Sequence, residues 1–465
     1  MQKNGIIPSK PLFYNTNSKE VLYTKDLIKH KGAYDFKAIC IYAACGFFMD
    51  DDTYYTDVKY VKPASKYNID NGIISIDENP YFEWYYKPRD VSLSQATDEF
   101  ANLFHDILNT ETKDKKVILP LSGGLDSRTL AAGLKNHPNL WSYSYGFKGG
   151  IGETQYSNKI AHAEKFAFKE YEIGEGYLWD TIEKLAVING CMSEFTHARQ
   201  MAVIEDVSKQ GDAFILGHWG DVLFDGMGVA DNMSFEEQIN ILYKKVLKKG
   251  GLELGMELWR LWELEGEFDD YLKQRLETAL AKIKIDNANA RIRAFKSTHW
   301  APRWTSTNLQ IFSHTNENIL PYYNDRMCEF ICGIPEELLN SRQIQIEYLK
   351  RYAPELAKIK WQTYDLDLYS YKRFYHWSNI PNRAINKVRN MLSNPKILRN
   401  WELQFLGEAN EAKLHEYIYH KSLQPLVNTD IVKKFESLFH LEPVKYSHAL
   451  SMLLTLSLFT KLKGK

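Results

Sequence analysis

The stretch VILPLSGGLDSRTLAAGLK, Val117–Lys135, constrains this chain more than any other. An apolar, strand-like run breaks at Pro120, and a helix-like run begins near Asp126. Between them Ser122, Gly123, Gly124, Asp126 and Ser127 fall within six positions. In an open parallel sheet, ligands bind beyond the carboxyl ends of the strands. Gly123 and Gly124 let the backbone curl without Cβ clashes, so that its N–H groups can point at an anion. The helix that follows adds the positive end of its dipole. Ser122 and Ser127 can donate to phosphate oxygens. Asp126 suits a different task, holding Mg²⁺ that carries the phosphates in turn. A Gly-rich turn ahead of an N-capping Asp would explain the glycines and Asp126, but not both serines. No G-K-[ST] follows, so the loop is not of the Walker A type.

The surrounding pattern supplies the sheet. SLSQATDEFANLFHDILNT places Phe100, Leu103, Phe104, Ile107 and Leu108 at helical spacing ahead of a strand over Lys116–Leu121. A second strand is expected at Trp141–Phe147, then a helix, the short strand KEYEI, more helix, and a strand within Asp212–Asp221 that ends in another Gly-rich turn. Strands alternating with helices predict a parallel sheet covered on both faces, the α/β class. Residues 1–95 read as mostly β: one hairpin turns at Asn15–Ser18, and another turns at Asn71–Gly72, the dipeptide favoured by type I′ turns. Residues 96–230 would form the α/β core. Residues 231–465 read as helical, with no convincing strand.

Composition narrows the partners. A formal net charge of −1 over 465 residues gives no support for a nucleic-acid or acidic-membrane partner. Lys244–Lys245 and Lys248–Lys249 are spaced like a solvated helix face. The five cysteines contain no C-x-x-C, and their odd number argues for reduced thiols. Cys328 and Cys332 share a helix face as small buried residues. The apolar stretches Ala38–Met49 and Ala449–Thr460 fall short of the roughly 20 residues that span a bilayer. The expectation is a cytoplasmic protein without a signal peptide.

PLSGGLDSR resembles the pyrophosphate loop of the N-type ATP pyrophosphatases, in particular the synthetase domain of glutamine-dependent asparagine synthetase and its relatives. Further stretches are similar to that family in the same order: SYSYGF, GETQYSNKIAHAEKFAFKEYEI, ILGHWGDVLFDG and NILPYYNDRMCEFICGIPEEL. The resemblance covers roughly residues 10–365. It implies an adenine-nucleotide α-hydrolase-like core that cleaves ATP between its α and β phosphates. It further implies that Ser122, Gly123, Gly124, Asp126 and Ser127 hold the triphosphate. The backbones of Leu121, Phe147 and Gly217 would frame the adenosine, and Asp126 and Asp221 would share Mg²⁺. Taken alone, Asp221 also suits a helix cap.

Three departures qualify the resemblance. The family's glutaminase half begins with a nucleophilic cysteine. This chain begins Met1–Gln2, its first cysteine is Cys40, and residues 1–95 resemble only the later part of that domain. The expectation is a glutaminase remnant without glutaminase activity. Second, His218 stands where the family has a Glu, and it suits either general acid–base work or a hydrogen bond to the turn. Third, the family's late lysine is replaced by Gln345 or Ile346, leaving Arg342, Lys350, Arg351 or the distant Arg303 to supply charge. RYAPELAKIKW resembles a variant branch of asparagine-synthetase-like proteins, often associated with surface polysaccharide genes, that departs similarly. The implied function is an ATP-dependent ligase that joins a small-molecule or carbohydrate carboxylate to ammonia or an amine donor. The alternative is an ATP-binding subunit without catalysis. A homodimer is compatible with either.

Overall fold

The computed structural model describes residues 1–148, 154–375 and 404–464. Six short strands open the chain: β1 (Gln2–Lys3), β2 (Phe13–Asn15), β3 (Val21–Leu22), β4 (Val58–Tyr60), β5 (Lys66–Asp70) and β6 (Ile73–Ile76). They form two antiparallel three-stranded sheets, ordered β1-β5-β6 and β3-β2-β4. Both expected hairpins form. At the second, Asn71 and Gly72 have φ of 49° and 81°, the two left-handed residues of a type I′ turn. Helix α1 (Phe36–Cys45) interrupts these strands. Its residues from Ala38 onward are all buried, so it shows no polar face from which its period could be read.

The core begins with α2 (Leu93–Glu111), which starts in a capping box of Ser92 and Gln95. Then come β7 (Val117–Pro120), α3 (Leu125–Gly133), β8 (Leu140–Phe147), α4 (Thr154–Ala163), β9 (Ala167–Ile173), α5 (Tyr177–Asn189) and β10 (Ala213–Ile215). A further strand, β11 (Glu317–Ile319), pairs parallel with β10 and completes the order β11-β10-β7-β8-β9. The sheet is parallel throughout. Val117, Ile118 and Leu119 are wholly buried, as a central parallel strand covered on both faces requires. β11 lies in the region read as purely helical. Three residues, one of them the exposed Glu317, give no strand pattern to detect.

The chain leaves β7 toward β8 on one side and reaches β10 on the other only after β9. The strand order therefore reverses between β7 and β10, where open α/β sheets bind their ligands. The other long apolar stretch lies within the C-terminal helix Pro443–Lys463, buried from Tyr446 to Phe459. Among the described residues no helix is long and apolar enough to cross a membrane. Lys244 and Lys245 are exposed as expected, but Lys248 is half-buried, its ammonium 5.1 Å from the ring centre of Trp304.

Candidate active site

The loop after β7 is closed by its own serines. The Ser122 N–H donates to Ser127 Oγ at 3.1 Å, and the two hydroxyls meet at 3.0 Å. No side chain caps α3, whose N-cap is Gly124. The first-turn N–H groups of that helix are thus left to face the loop, the arrangement that binds anions. The glycines do not owe their place to a left-handed backbone, since neither is among the positive-φ residues. Gly123 is needed for space: a Cβ there would lie 2.7 Å from Gln362. Behind the loop the buried Arg128 donates to the carbonyls of Leu356, Ile359, Lys360 and Gly123. One guanidinium thereby ties the loop to the segment that wraps it.

β10 ends at Ile215, earlier than the sequence suggested, and the chain turns through Gly217–Trp219 into a short helix, Gly220–Leu223. Trp219 holds a left-handed φ of 78°, and its indole N–H donates to Ser297 Oγ at 3.0 Å. A left-handed tryptophan is strained and persists only where its surroundings fix it. At Gly220 a Cβ would fall 2.2 Å from Asp126 Oδ1, so the turn presses directly against the loop's carboxylate. Asp221 follows in the first turn of the helix and is exposed; it makes no capping bond. The buried pair Arg293–Glu336 anchors this helix, because Arg293 also donates to the carbonyls of Val222 and Asp225.

Asp126 accepts from Arg342 Nη2 and, at 3.2 Å, from Gln345 Nε2. Gln345 also donates to the Tyr322 hydroxyl at 3.0 Å. Burial raises the pKa of Asp126 and Asp221 adds to the rise, while Arg342 opposes it; the net direction is upward. Burial works against the Arg342 charge, but Asp126 and Asp221 outweigh it and its pKa rises as well. The two shifts pull opposite ways on one ion pair. Direct contact decides that the pair is formed, and the 23% exposure of Asp126 lets water temper its shift. Among the described residues no cluster of three or more His, Cys, Asp or Glu could hold an ion. Asp126 and Asp221 fit a shared hard cation only when phosphate oxygens complete its shell, the usual manner of Mg²⁺.

A cavity of about 520 Å³ opens at this point. It is lined by Leu121, Ser122, Asp126, Ser127, Gly217, His218 and Asp221, which brings together most of the expected site. Gly123 and Gly124 stand outside the lining, and so does Phe147, which borders a neighbouring cavity beside Tyr177. From the same strand, Ser144 and Tyr145 line the site instead. Glu153, part of the helix likeness, lies outside the described residues. His218 exposes its ring to the cavity; the protein crowded around it lowers its pKa, and Asp221 opposes that shift. Solvent reaching the ring screens the effect, so the direction alone matters: at neutral pH His218 is an uncharged proton acceptor.

The family model for asparagine synthase matches residues 99–358. The chain belongs to the asparagine synthase family. A search of curated proteins finds no significant match. Within this asparagine synthase domain, the place of the late lysine is taken by Gln345 on Asp126 or by the buried Ile346. Arg342 is the cation at the loop. Lys350 lies over the Tyr369 ring, and Arg351 pairs with Asp98 and Glu347. Arg303 is buried elsewhere, donating to the carbonyls of Phe48 and Asp52. A second cation, Lys296, lines the cavity with Trp219, Trp300 and Trp304 and was not read from the sequence. Its stretch of sequence reads as ordinary helix, and only the folded register brings it here.

Proposed function

We propose that this protein is an ATP-dependent ligase, activating a carboxylate as its adenylate and passing the acyl group to ammonia or an amine. The observation that carries this reading is the juxtaposition of the Ser122–Ser127 loop with Asp221 at the strand-order reversal. Family membership supports it.

The loop serines and the unoccupied N–H groups of α3 would grip the β and γ phosphates. Asp126 and Asp221 would hold Mg²⁺, which neutralises the triphosphate charge as pyrophosphate departs. A carboxylate oxygen attacks the α-phosphorus, and the bond to the pyrophosphate oxygen breaks. The amine nitrogen then attacks the acyl carbon, AMP leaves, and His218 takes the surplus amine proton. Preorganised donors at the loop supply most of the stabilisation. The amine arrives from outside the thiol chemistry of this chain: all five cysteines are buried, and burial raises each thiol above its usual pKa.

A catalytically silent ATP-binding protein is the second reading, favoured by Arg342 occupying Asp126 and by Gln345 or Ile346 at the place of the family lysine. The deciding assay incubates the protein with MgATP, labelled pyrophosphate and candidate acids. Acid-dependent exchange that disappears in Asp126→Ala supports the ligase. ATP binding without exchange for any acid supports the silent reading, and absence of ATP binding defeats both. His218→Gln is expected to preserve exchange while slowing amide formation by about 100-fold.

A further inference from the structure

Lys296 opens a π-helix, Lys296–Thr305. Its ammonium lies 5.7 Å from the ring centres of both Trp219 and Trp300. It is half-buried on the wall of the cavity, and no hydrogen bond or ion pair to any described residue satisfies it. Asp221 acts on it only at longer range, as it also acts on Arg342. An ammonium drawn out of water needs an anion, and two indole faces replace only part of its hydration. The missing partner must come from the cavity.

The π register creates this arrangement. Lys296, Trp300, Trp304 and Thr305 line the phosphate-loop cavity, while Thr298 and His299 line another cavity against the N-terminal sheets. In an α-helix Arg303 would share the stripe of Lys296 and Trp300. Here Arg303 turns away to the carbonyls of Phe48 and Asp52; Lys248 also lies over the Trp300 and Trp304 rings, but of the two lysines Lys296 is the one that lines the cavity. Trp300 is fixed from behind by Phe47, stacked at 5.5 Å and 19°. π-Helical turns recur at functional sites for this kind of reorientation.

The loop already has its cation in Arg342. The reaction brings a second anion, the acid, against the triphosphate, and that approach needs a positive charge outside the loop. We propose that Lys296, between the indoles of Trp219 and Trp300, forms the subsite for the carboxylate of the acid being activated. The indole walls suit an acid whose carboxyl is carried on an apolar or ring-shaped frame lying along Trp300 and Trp304. This assignment rests on the ligase reading of the cavity.

Competitive labelling tests it. The full chain is treated with trace acetic anhydride at fixed pH, and acetylation of Lys296 is read by peptide mass spectrometry. The additions are inorganic pyrophosphate, or a mixture of acetate, aspartate, succinate, benzoate and glucuronate with a non-hydrolysable ATP analogue. A further sample replaces the acids by their amides. The acids are expected to lower Lys296 labelling about fivefold, with little change from the amides or from pyrophosphate alone. Protection by pyrophosphate alone, equal protection by the amides, or no protection by the acids overturns the assignment. ATP binding is measured in the same samples. Its absence defeats the ligase reading, whereas protection by acids bears on Lys296 itself. In the exchange assay Lys296→Met should raise the KM of the acid about 30-fold and leave that of ATP unchanged, with Lys296→Arg recovering part of the loss. An equal rise in both constants would mark Lys296 as a phosphate ligand instead.

Discussion

Arg342 donates its guanidinium to Asp126, the carboxylate that the glycine loop offers to the nucleotide site. The arginine reaches it from a left-handed backbone, φ 59°, beside Ser341 at φ 58°. Gln345 accepts from the same guanidinium at 2.6 and 2.8 Å. Removing the arginine leaves Asp126 facing the like charge of Asp221. Arg342→Met is expected to cost about 3 kcal/mol. Added Mg²⁺ should raise the melting temperature of this variant more than that of the parent, because the ion supplies the lost charge. Thermal denaturation with and without Mg²⁺ measures both effects, and an equal Mg²⁺ response in the two proteins would contradict the account.

Gly220 is the site where a single methyl reports on the loop. A Cβ there would displace the Asp126 carboxylate. Gly220→Ala is expected to weaken ATP binding by about 100-fold in the presence of Mg²⁺. Isothermal titration with ATP, with and without the metal, checks this; unchanged metal-dependent affinity would show that Asp126 has room to move.

Arg128 donates to four carbonyls while fully buried, and burial brings its pKa down to about 10. Arg128→Met strands those acceptors. The expected loss is about 4 kcal/mol, with earlier proteolysis within residues 356–362 than elsewhere. Urea denaturation and limited proteolysis followed by mass spectrometry test the pair of effects together.

His448 donates to the carbonyl of Ala43 at 2.9 Å, and burial lowers its pKa to about 4; His299 is shifted to the same value by its own burial. Unfolded histidine titrates near 6.5. Below that pH the unfolded chain gains protons that the fold refuses. The stability is therefore complete above about pH 6.5 and is lost as pH falls toward 4. Each residue contributes up to about 3 kcal/mol to that loss. His448→Gln keeps a donor for Ala43 but does not titrate. The slope of unfolding free energy against pH should fall by the share of one proton, up to about 1.4 kcal/mol per pH unit between those limits, as read from urea curves.

The sequence made the β7–loop–α3 unit legible because its signals are local: apolar run, paired glycines, serines and a carboxylate on consecutive positions. The order of β7, β8, β9 and β10 followed from alternation with helices. β11 escaped because three residues carry no period, and α1 because a helix buried on nearly every side has none either. Ser144 and Tyr145 line the cavity where Phe147 was expected, a difference of register along one strand that no motif specifies. Lys296 and Arg342 were the hardest to place. Their roles depend on a π turn and on two consecutive left-handed residues, and neither leaves a compositional trace.

The π-helix also gives residues 296–305 a reading frame. Each of its hydrogen-bonded rings holds one residue more than an α-helical ring. Tightening this segment to α-helical rings at its present length would rotate the residues after Trp300 about the helix axis. Arg303 would take the place of Trp304 on the stripe of Lys296 and Trp300, leaving the carbonyls of Phe48 and Asp52 in the same motion. The nucleotide site and the attachment of the N-terminal sheets thus share one mechanical count. The winding of this segment carries as much information as its letters.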